Sequence, residues 1–259
     1  MRLADVGWVW EGQGLDPGVH PSIFGVGEGA EYFGLRRAHF MFHPITELAM
    51  KKLAGLEEVV CDVSKWGFRD SEKGGSDCYV DARLETVCTE AERVSRLSRH
   101  YPNVTGAIFD DMKGLLEREG MESDVSAAVT FSLRMYNAGL KLWAVVYSHE
   151  LDHAFWDHCK AHIDVVNLWV WNQNDLPELE RYIERAHEVF PGKPVVMGCY
   201  LRDYPSRSPM PMDALQRQWT TVANAVADGR LDGYAILGTV LIDAHPRQAA
   251  WVRDFIRDH

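Results

Sequence analysis

The amino-acid sequence predicts a (β/α)8 barrel, with residues 1–259 forming one domain. Three observations predict it. Apolar runs of strand length alternate with stretches of helical periodicity, a pattern that implies βαβ units and a parallel sheet. The strand starts recur at roughly 30 residues, the size of one such unit. Eight runs of this kind fit into 259 residues, close to the length of about 250 that a closed eight-stranded barrel needs.

The first strand is expected over Leu3 to Trp10, ending at Glu11. Gly12 to Gly29 follows, with six glycines, two prolines and no helical period, and reads as a long irregular connection. Within it, Gly25-Val26-Gly27-Glu28-Gly29 reads as a flexible loop. No strand directly precedes it, and an acidic residue stands where a phosphate would sit. The second strand is Arg37 to Phe42, before His43-Pro44, and Thr46 is an N-cap for a helix through Leu56. Glu58 to Val63 is the third strand, continuing to Ser64, Lys65 and Trp66, and Gly67 to Ser76 is a polar loop. Leu84, Val87, Ala91, Val94 and Leu97 share one face of a helix over Asp81 to His100.

Val104 to Phe109 is the fourth strand, and a helix over Asp124 to Asn137 stops at Ala138-Gly139. The fifth strand is Leu140 to Tyr147, followed by a short helix over Ala154 to Ala161. Ile163 to Val170 is the sixth strand, and Asp175 caps a helix from Leu176 to Val189. Pro194 to Tyr200 is the seventh, followed by the proline-rich loop Pro205 to Pro211 and a helix from Met212 to Asp228. Leu231 to Leu241 is the eighth, and a helix from His245 closes the chain.

The net charge of −11, from 27 basic and 38 acidic side chains, argues against nucleic acid or an anionic membrane as partner. No apolar run reaches the roughly 20 residues of a membrane span. The N-terminus is too short and too acidic for a signal peptide. Five scattered cysteines without a Cys-x-x-Cys pair read as reduced thiols. Together these imply a cytoplasmic protein, although a secreted chain lacking its leader would read the same.

The fourth strand stops abruptly at Asp110 and Asp111. Side chains at the C-terminal ends of barrel strands face the catalytic mouth, and two acids there are costly unless solvated, paired or used. One could instead cap the next helix or pair with a distant arginine. Strand alternation gives Asp110 the parity of Ile108 and Asp111 that of Phe109, so the sequence leaves open which points inward. Glu150, at the end of the fifth strand, is a third carboxylate of the same mouth. Glycoside hydrolysis needs two carboxyl functions, or one plus a substrate group acting as nucleophile. Carboxyls about 5 Å apart imply retention, and about 6.5–9.5 Å inversion.

Polar and aromatic residues fall on one parity of each strand. The second carries His39, Met41 and His43, and the third Asp62 and Ser64. The fifth carries Tyr147 and His149, the sixth Asn167, Trp169 and Trp171, and the seventh Gly198, Tyr200 and Arg202. His39 and Asn167 sit low and read as satisfied core groups. Aromatic faces with hydrogen-bonding neighbours suit a pyranose ring, which offers apolar C–H faces and a rim of hydroxyls. The expected sugar-binding residues are therefore Glu11, His43, Asp62 and Trp66 from the first three strands, and Tyr147, His149, Trp169, Trp171, Asn172, Tyr200 and Arg202 from the fifth to seventh. Any one tryptophan could equally be barrel packing.

The fourth-strand ending Ala-Ile-Phe-Asp-Asp-Met resembles the paired-aspartate motif of retaining β-N-acetylglucosaminidases of the O-GlcNAc-removing type. That resemblance implies that Asp110 orients a substrate acetamido group and Asp111 is the general acid/base. An Asp on strand four with Glu150 on strand five also resembles the barrel galactosaminidases that trim microbial polysaccharides. Each resemblance covers six to ten residues. The whole chain, with Val-Val-Tyr-Ser-His-Glu on strand five and Leu-Trp-Val-Trp on strand six, resembles small bacterial barrel proteins of unassigned activity. The expectation is a glycoside hydrolase acting on a carbohydrate, with no cofactor or metal.

Two other classes compete. A metal-dependent barrel hydrolase or isomerase would draw on His39, His43, Asp62, Asp110 and His149, but no His-x-His or His-Glu-x-x-His motif is present. A non-catalytic carbohydrate-binding barrel would keep the aromatic floor and turn nothing over.

Overall fold

A computed structural model describes residues 2–10, 19–70, 76–81, 83–118 and 124–259. The strands, in chain order, are β1 (Gly7–Trp10), β2 (Arg37–Phe40), β3 (Glu58–Asp62), β4 (Lys65–Asp70), β5 (Ser76–Asp81), β6 (Val104–Phe109), β7 (Lys141–Tyr147), β8 (Val165–Trp169), β9 (Val195–Tyr200), β10 (Arg202–Asp203), β11 (Ser208–Pro209) and β12 (Gly233–Leu237). Eight of them close a parallel barrel in the order β1-β12-β9-β8-β7-β6-β3-β2. The helices that cover it are α1 (Val26–Phe33), α2 (Glu47–Lys52), α3 (Leu84–Leu97), α4 (Met112–Arg118), α5 (Asp124–Arg134), α6 (His153–Cys159), α7 (Leu179–Val189), α8 (Met212–Ala227), α9 (Leu241–Ala244) and α10 (Pro246–Asp258). The expected barrel is therefore present, with β6 at its expected bounds. Among the described residues, no helix is long and apolar enough to cross a membrane.

Four local expectations are corrected. The chain from Leu3 to Asp5 is a 3-10 turn, so the first strand starts only at Gly7. Gly25 to Gly29 is not a flexible loop: Gly25 caps α1, which runs on to Phe33. Gly29 is needed there, because a β-carbon would lie 2.2 Å from the Thr239 methyl. Close packing of α1 on the turn after β12 outweighs the poor helix propensity of glycine. The expected polar loop over 67–76 instead includes part of an antiparallel hairpin, Gly67 to Asp70 of β4 and Ser76 of β5, with residues 71–75 outside the described ones. The proline-rich loop over Pro205 to Pro211 likewise contains β11, which pairs with β10 just before it.

The barrel interior mixes aromatic rings with branched aliphatics such as Val60, Ile108 and Val145. Register neighbours in a parallel sheet point the same way, and His39 pairs with Trp10 and Val60, while Ile108 pairs with Trp143. The His39 ring stacks on Trp8 at 5.0 Å and meets Trp10 and Trp143 edge-on at 5.1 Å. It is indeed a core group, but not a satisfied one: neither ring nitrogen has a partner. Asn167 is satisfied, donating to the Val196 carbonyl at 3.0 Å and accepting from the Trp169 indole at 3.1 Å. Burial pushes the His39 imidazole down to about 3.

That burial has a consequence for acid stability. The unfolded chain takes up a proton near pH 6.5, and native His39 takes it up only near pH 3. Stability is lost as the pH falls through that window. His39→Phe keeps the stacking and removes the titration. Denaturant titrations at pH 7 and pH 4.5 should show a smaller loss on acidification for His39→Phe than for wild type; equal losses would contradict the neutral, caged imidazole.

Candidate active site

β6 ends at Phe109 and α4 begins at Met112, so Asp110 and Asp111 form the whole connection. Asp110 continues the inward parity of Ile108 and is 7% exposed. Asp111 takes a left-handed backbone conformation, φ 48°, which aspartate tolerates better than most residues. Its carbonyl accepts from the Leu115 amide at 2.9 Å, joining the turn to α4. Alternation stops at this turn, and the Asp111 carboxylate accepts a 2.7 Å hydrogen bond from the Tyr147 hydroxyl. Tyr147 lies on the inward parity of β7, beside Trp169. Both aspartates thus act on one ring: burial first, then the charges of Tyr200, Asp111 and Asp110, hold the Tyr147 hydroxyl protonated.

Burial raises the Asp111 carboxyl above the usual carboxylate range, against the opposing bond from Tyr147. Glu150 ends a 3-10 turn that follows β7 directly, and its carboxylate accepts from the Tyr147 backbone amide at 3.0 Å. Burial raises Glu150 too, the Tyr147 amide opposes, and the charge of Asp111 adds to the rise. Asp111 and Glu150 therefore feel each other, with Tyr147 holding one by its hydroxyl and the other by its backbone.

The aromatic wall extends from Tyr147 around the mouth. His149 stacks on Tyr147 at 5.5 Å, and Trp171 meets it edge-on at 6.1 Å. Trp171 is 41% exposed. It stands 6.1 Å from Tyr200 and stacks on Tyr204 at 4.9 Å. Tyr204 was not among the residues expected from the sequence; an aromatic four residues past a strand end, in an Asp-Tyr-Pro loop, is the signal that could have found it.

The remaining expected residues divide. Trp169 is buried under the wall, between Trp10 at 5.3 Å and Tyr200 at 4.8 Å, and belongs to the barrel filling. Asp62 is fully buried and accepts from the Ser64 amide at 2.9 Å, the Ser64 hydroxyl at 2.7 Å and the Phe42 amide at 3.4 Å. It fixes the chain beyond β3. Asn172 caps the following 3-10 turn through a 3.0 Å bond from the Asn174 amide. His43 stacks on Phe40 and lines a cavity of about 220 Å³ with Gly25, Val26 and Lys52, which none of the three carboxylates borders. Glu11 and the side chain of Trp66 lie outside the described residues. Arg202 is buried, and among the described residues it pairs with neither aspartate but contacts His245.

Three of the donors that a metal site was expected to use have other neighbours. His39 is ringed by tryptophans, Asp62 is engaged with Ser64, and His149 lies on Tyr147. Among the described residues, no three His, Cys, Asp or Glu side chains are grouped to hold a metal ion.

No protein-family model matches the chain, and no curated protein matches it significantly in sequence. Solved structures do share its fold. The glycoside hydrolase domain of PgaB (BpsB) from Bordetella bronchiseptica superposes with a TM-score of 0.60 at 11% identity, over 97% of this chain and 99% of that one. The spore cortex-lytic enzyme SleL of Bacillus cereus gives 0.58 at 11% identity, over 99% of this chain and 75% of that one. A β-glucuronidase of Bacteroides uniformis gives 0.57 at 10% identity, over 93% of this chain but only 31% of that one. At these identities the likeness is one of fold: a barrel of the kind found in glycoside hydrolases.

Proposed function

We propose that the chain is a glycoside hydrolase that cleaves a carbohydrate at the C-terminal mouth of its barrel. The observation that carries this reading is the Asp111 carboxyl: raised by burial, held by the Tyr147 hydroxyl, and set beside Asp110 under an aromatic wall. A raised carboxyl keeps its proton closer to neutrality and can deliver it to a departing glycosidic oxygen. Asp111 is the general acid in this reading and Asp110 its partner, which either orients a substrate acetamido group or meets the developing positive charge. Glu150 is the second carboxylate where no acetamido group takes part. His149, Trp171 and Tyr204 offer ring faces to the sugar, with the buried Tyr200 packed behind Trp171 and Tyr204. The barrel shared with the PgaB glycoside hydrolase domain and with SleL supports the same chemistry.

The test is a panel of aryl glycosides and oligosaccharides, run with wild type and Asp111→Asn. Turnover by wild type that falls in the variant supports the proposal. Its rate should also fall as the pH rises through the Asp111 value, because the working form is protonated. Sugar binding with equal, negligible turnover by both proteins would leave a binding barrel instead.

A further inference from the structure

Arg202 is an unusual charge. It is 5% exposed, and a guanidinium does not shed its proton inside a protein. Its Nη1 lies 3.4 Å from Nε2 of His245. The other nitrogen of that ring, Nδ1, lies 2.7 Å from the Ala244 carbonyl and so carries the ring proton, leaving Nε2 to accept from Arg202. Burial lowers the His245 imidazole, which stays neutral and supplies no counter-charge. Among the described residues the buried Arg202 Nε has no hydrogen-bond partner. Asp203, next in the chain, accepts from Ser206 and Gln173 through Oδ2, while its buried Oδ1 has no hydrogen-bond partner among the described residues. Among the described residues no carboxylate pairs with Arg202, and a buried charge without an ionic partner is unfavourable.

Arg202 follows β9 by two residues, and the amide of Leu201 bonds to the carbonyl of Leu237 at the end of β12. It therefore stands at the C-terminal end of the barrel, as Asp110 and Asp111 do. The aromatic wall connects the two places, Tyr147 to Trp171 and Trp171 to Tyr200 at 6.1 Å each.

We infer that Arg202 is an anion-recognition residue, and that the chain bound along this wall is an acidic oligosaccharide whose carboxylate or sulfate is held by the Arg202 guanidinium. A planar guanidinium matches an oxyanion, and His245, tied to Nη1, fixes its plane. The inference rests on the carbohydrate reading above and adds the substrate class. The overall negative charge does not oppose it: that field is screened over about 10 Å at 0.1 M salt, whereas the guanidinium acts at contact.

The experiment is calorimetric binding of uronate-containing and sulfated oligosaccharides, each beside its carboxyl-reduced or desulfated counterpart. The proteins are wild type, Arg202→Gln and Arg202→Lys, with melting curves to confirm folding. Wild type should bind a charged chain about 10- to 100-fold more tightly than its neutral counterpart, the range of one charge-assisted contact. The gap should close in Arg202→Gln and persist in part in Arg202→Lys. The carboxylate and sulfate arms show which oxyanion is preferred. Equal binding of charged and neutral forms, a gap that survives Arg202→Gln, or no binding of any charged chain would each overturn the inference. Charged chains bound but never cleaved would sink the hydrolase reading and leave this one standing. Cleavage without charge preference would do the reverse.

Discussion

Asp111→Asn is expected to slow hydrolysis by about 10²–10⁴-fold, the usual contribution of a general acid, while making the protein more stable at pH 7. The two effects share one cause. Burial raises the Asp111 carboxyl. Between its ordinary value of about 3.9 and the raised one, the native state holds a proton that the unfolded chain has released. Stability therefore falls as the pH rises through that window. Asparagine removes this titration and can still accept from the Tyr147 hydroxyl, now bonded at 2.7 Å. Thermal melts should place the variant above wild type at pH 7, with the difference closing as the pH falls toward about 4. A variant that is both slower and less stable at pH 7 would mean that Asp111 is a structural group, bonded for the sake of the turn.

Gly198→Val is expected to damage the fold severely. A β-carbon at Gly198 would lie 2.0 to 2.4 Å from three ring atoms of Trp169. The ring has nowhere to go. Trp10 stands at 5.3 Å and Tyr200 at 4.8 Å, and the indole N–H is bonded to Asn167 at 3.1 Å. Asn167 is itself tied to the Val196 carbonyl of the neighbouring strand. Relief would require moving β8 against β9, so the cost should reach about 3 kcal/mol, the upper end for overpacked cores. Chemical denaturation measures it, and Gly198→Ala should show a smaller loss in the same direction. A Gly198→Val midpoint indistinguishable from wild type would mean that the ring is not locked. Because Trp169 underlies Tyr200, a shifted ring should also weaken sugar binding.

The barrel could be read from the sequence because each strand is a short apolar run with its own stop signal. Val104 to Phe109 is the clearest case, bounded by Asn103 before and two aspartates after. The inward parity was legible too, since His39, Trp143, Tyr147, Trp169 and Tyr200 all fall where register neighbours face the interior. What alternation could not give was Asp111. A single left-handed residue reverses the direction of its side chain, and its φ of 48° follows from the tight passage into α4. Helix α1 was hidden for the opposite reason. Its glycines lower local propensity, and only the approach of Thr239, distant in sequence, makes Gly29 an asset. Asp62 and Asn172 looked like ligand-binding groups by position, yet Asn172 is engaged by an amide two residues on, and Asp62 by the amide and hydroxyl of Ser64 as well as by the more distant Phe42 amide. Short-range capping of this kind competes with function for every polar residue at a strand end.

Dependence of the rate on the leaving group tests the role of Asp111 most directly. Aryl glycosides of a sugar that wild type accepts would be compared across phenols of differing acidity. A general acid matters most for poor leaving groups, which need the proton, and least for strongly activated ones, which depart without it. The expected result is a shallow dependence for wild type and a steep one for Asp111→Asn, with the dinitrophenyl glycoside nearly unaffected by the substitution. An equal proportional loss on every leaving group, or no loss on any, would contradict proton donation by Asp111.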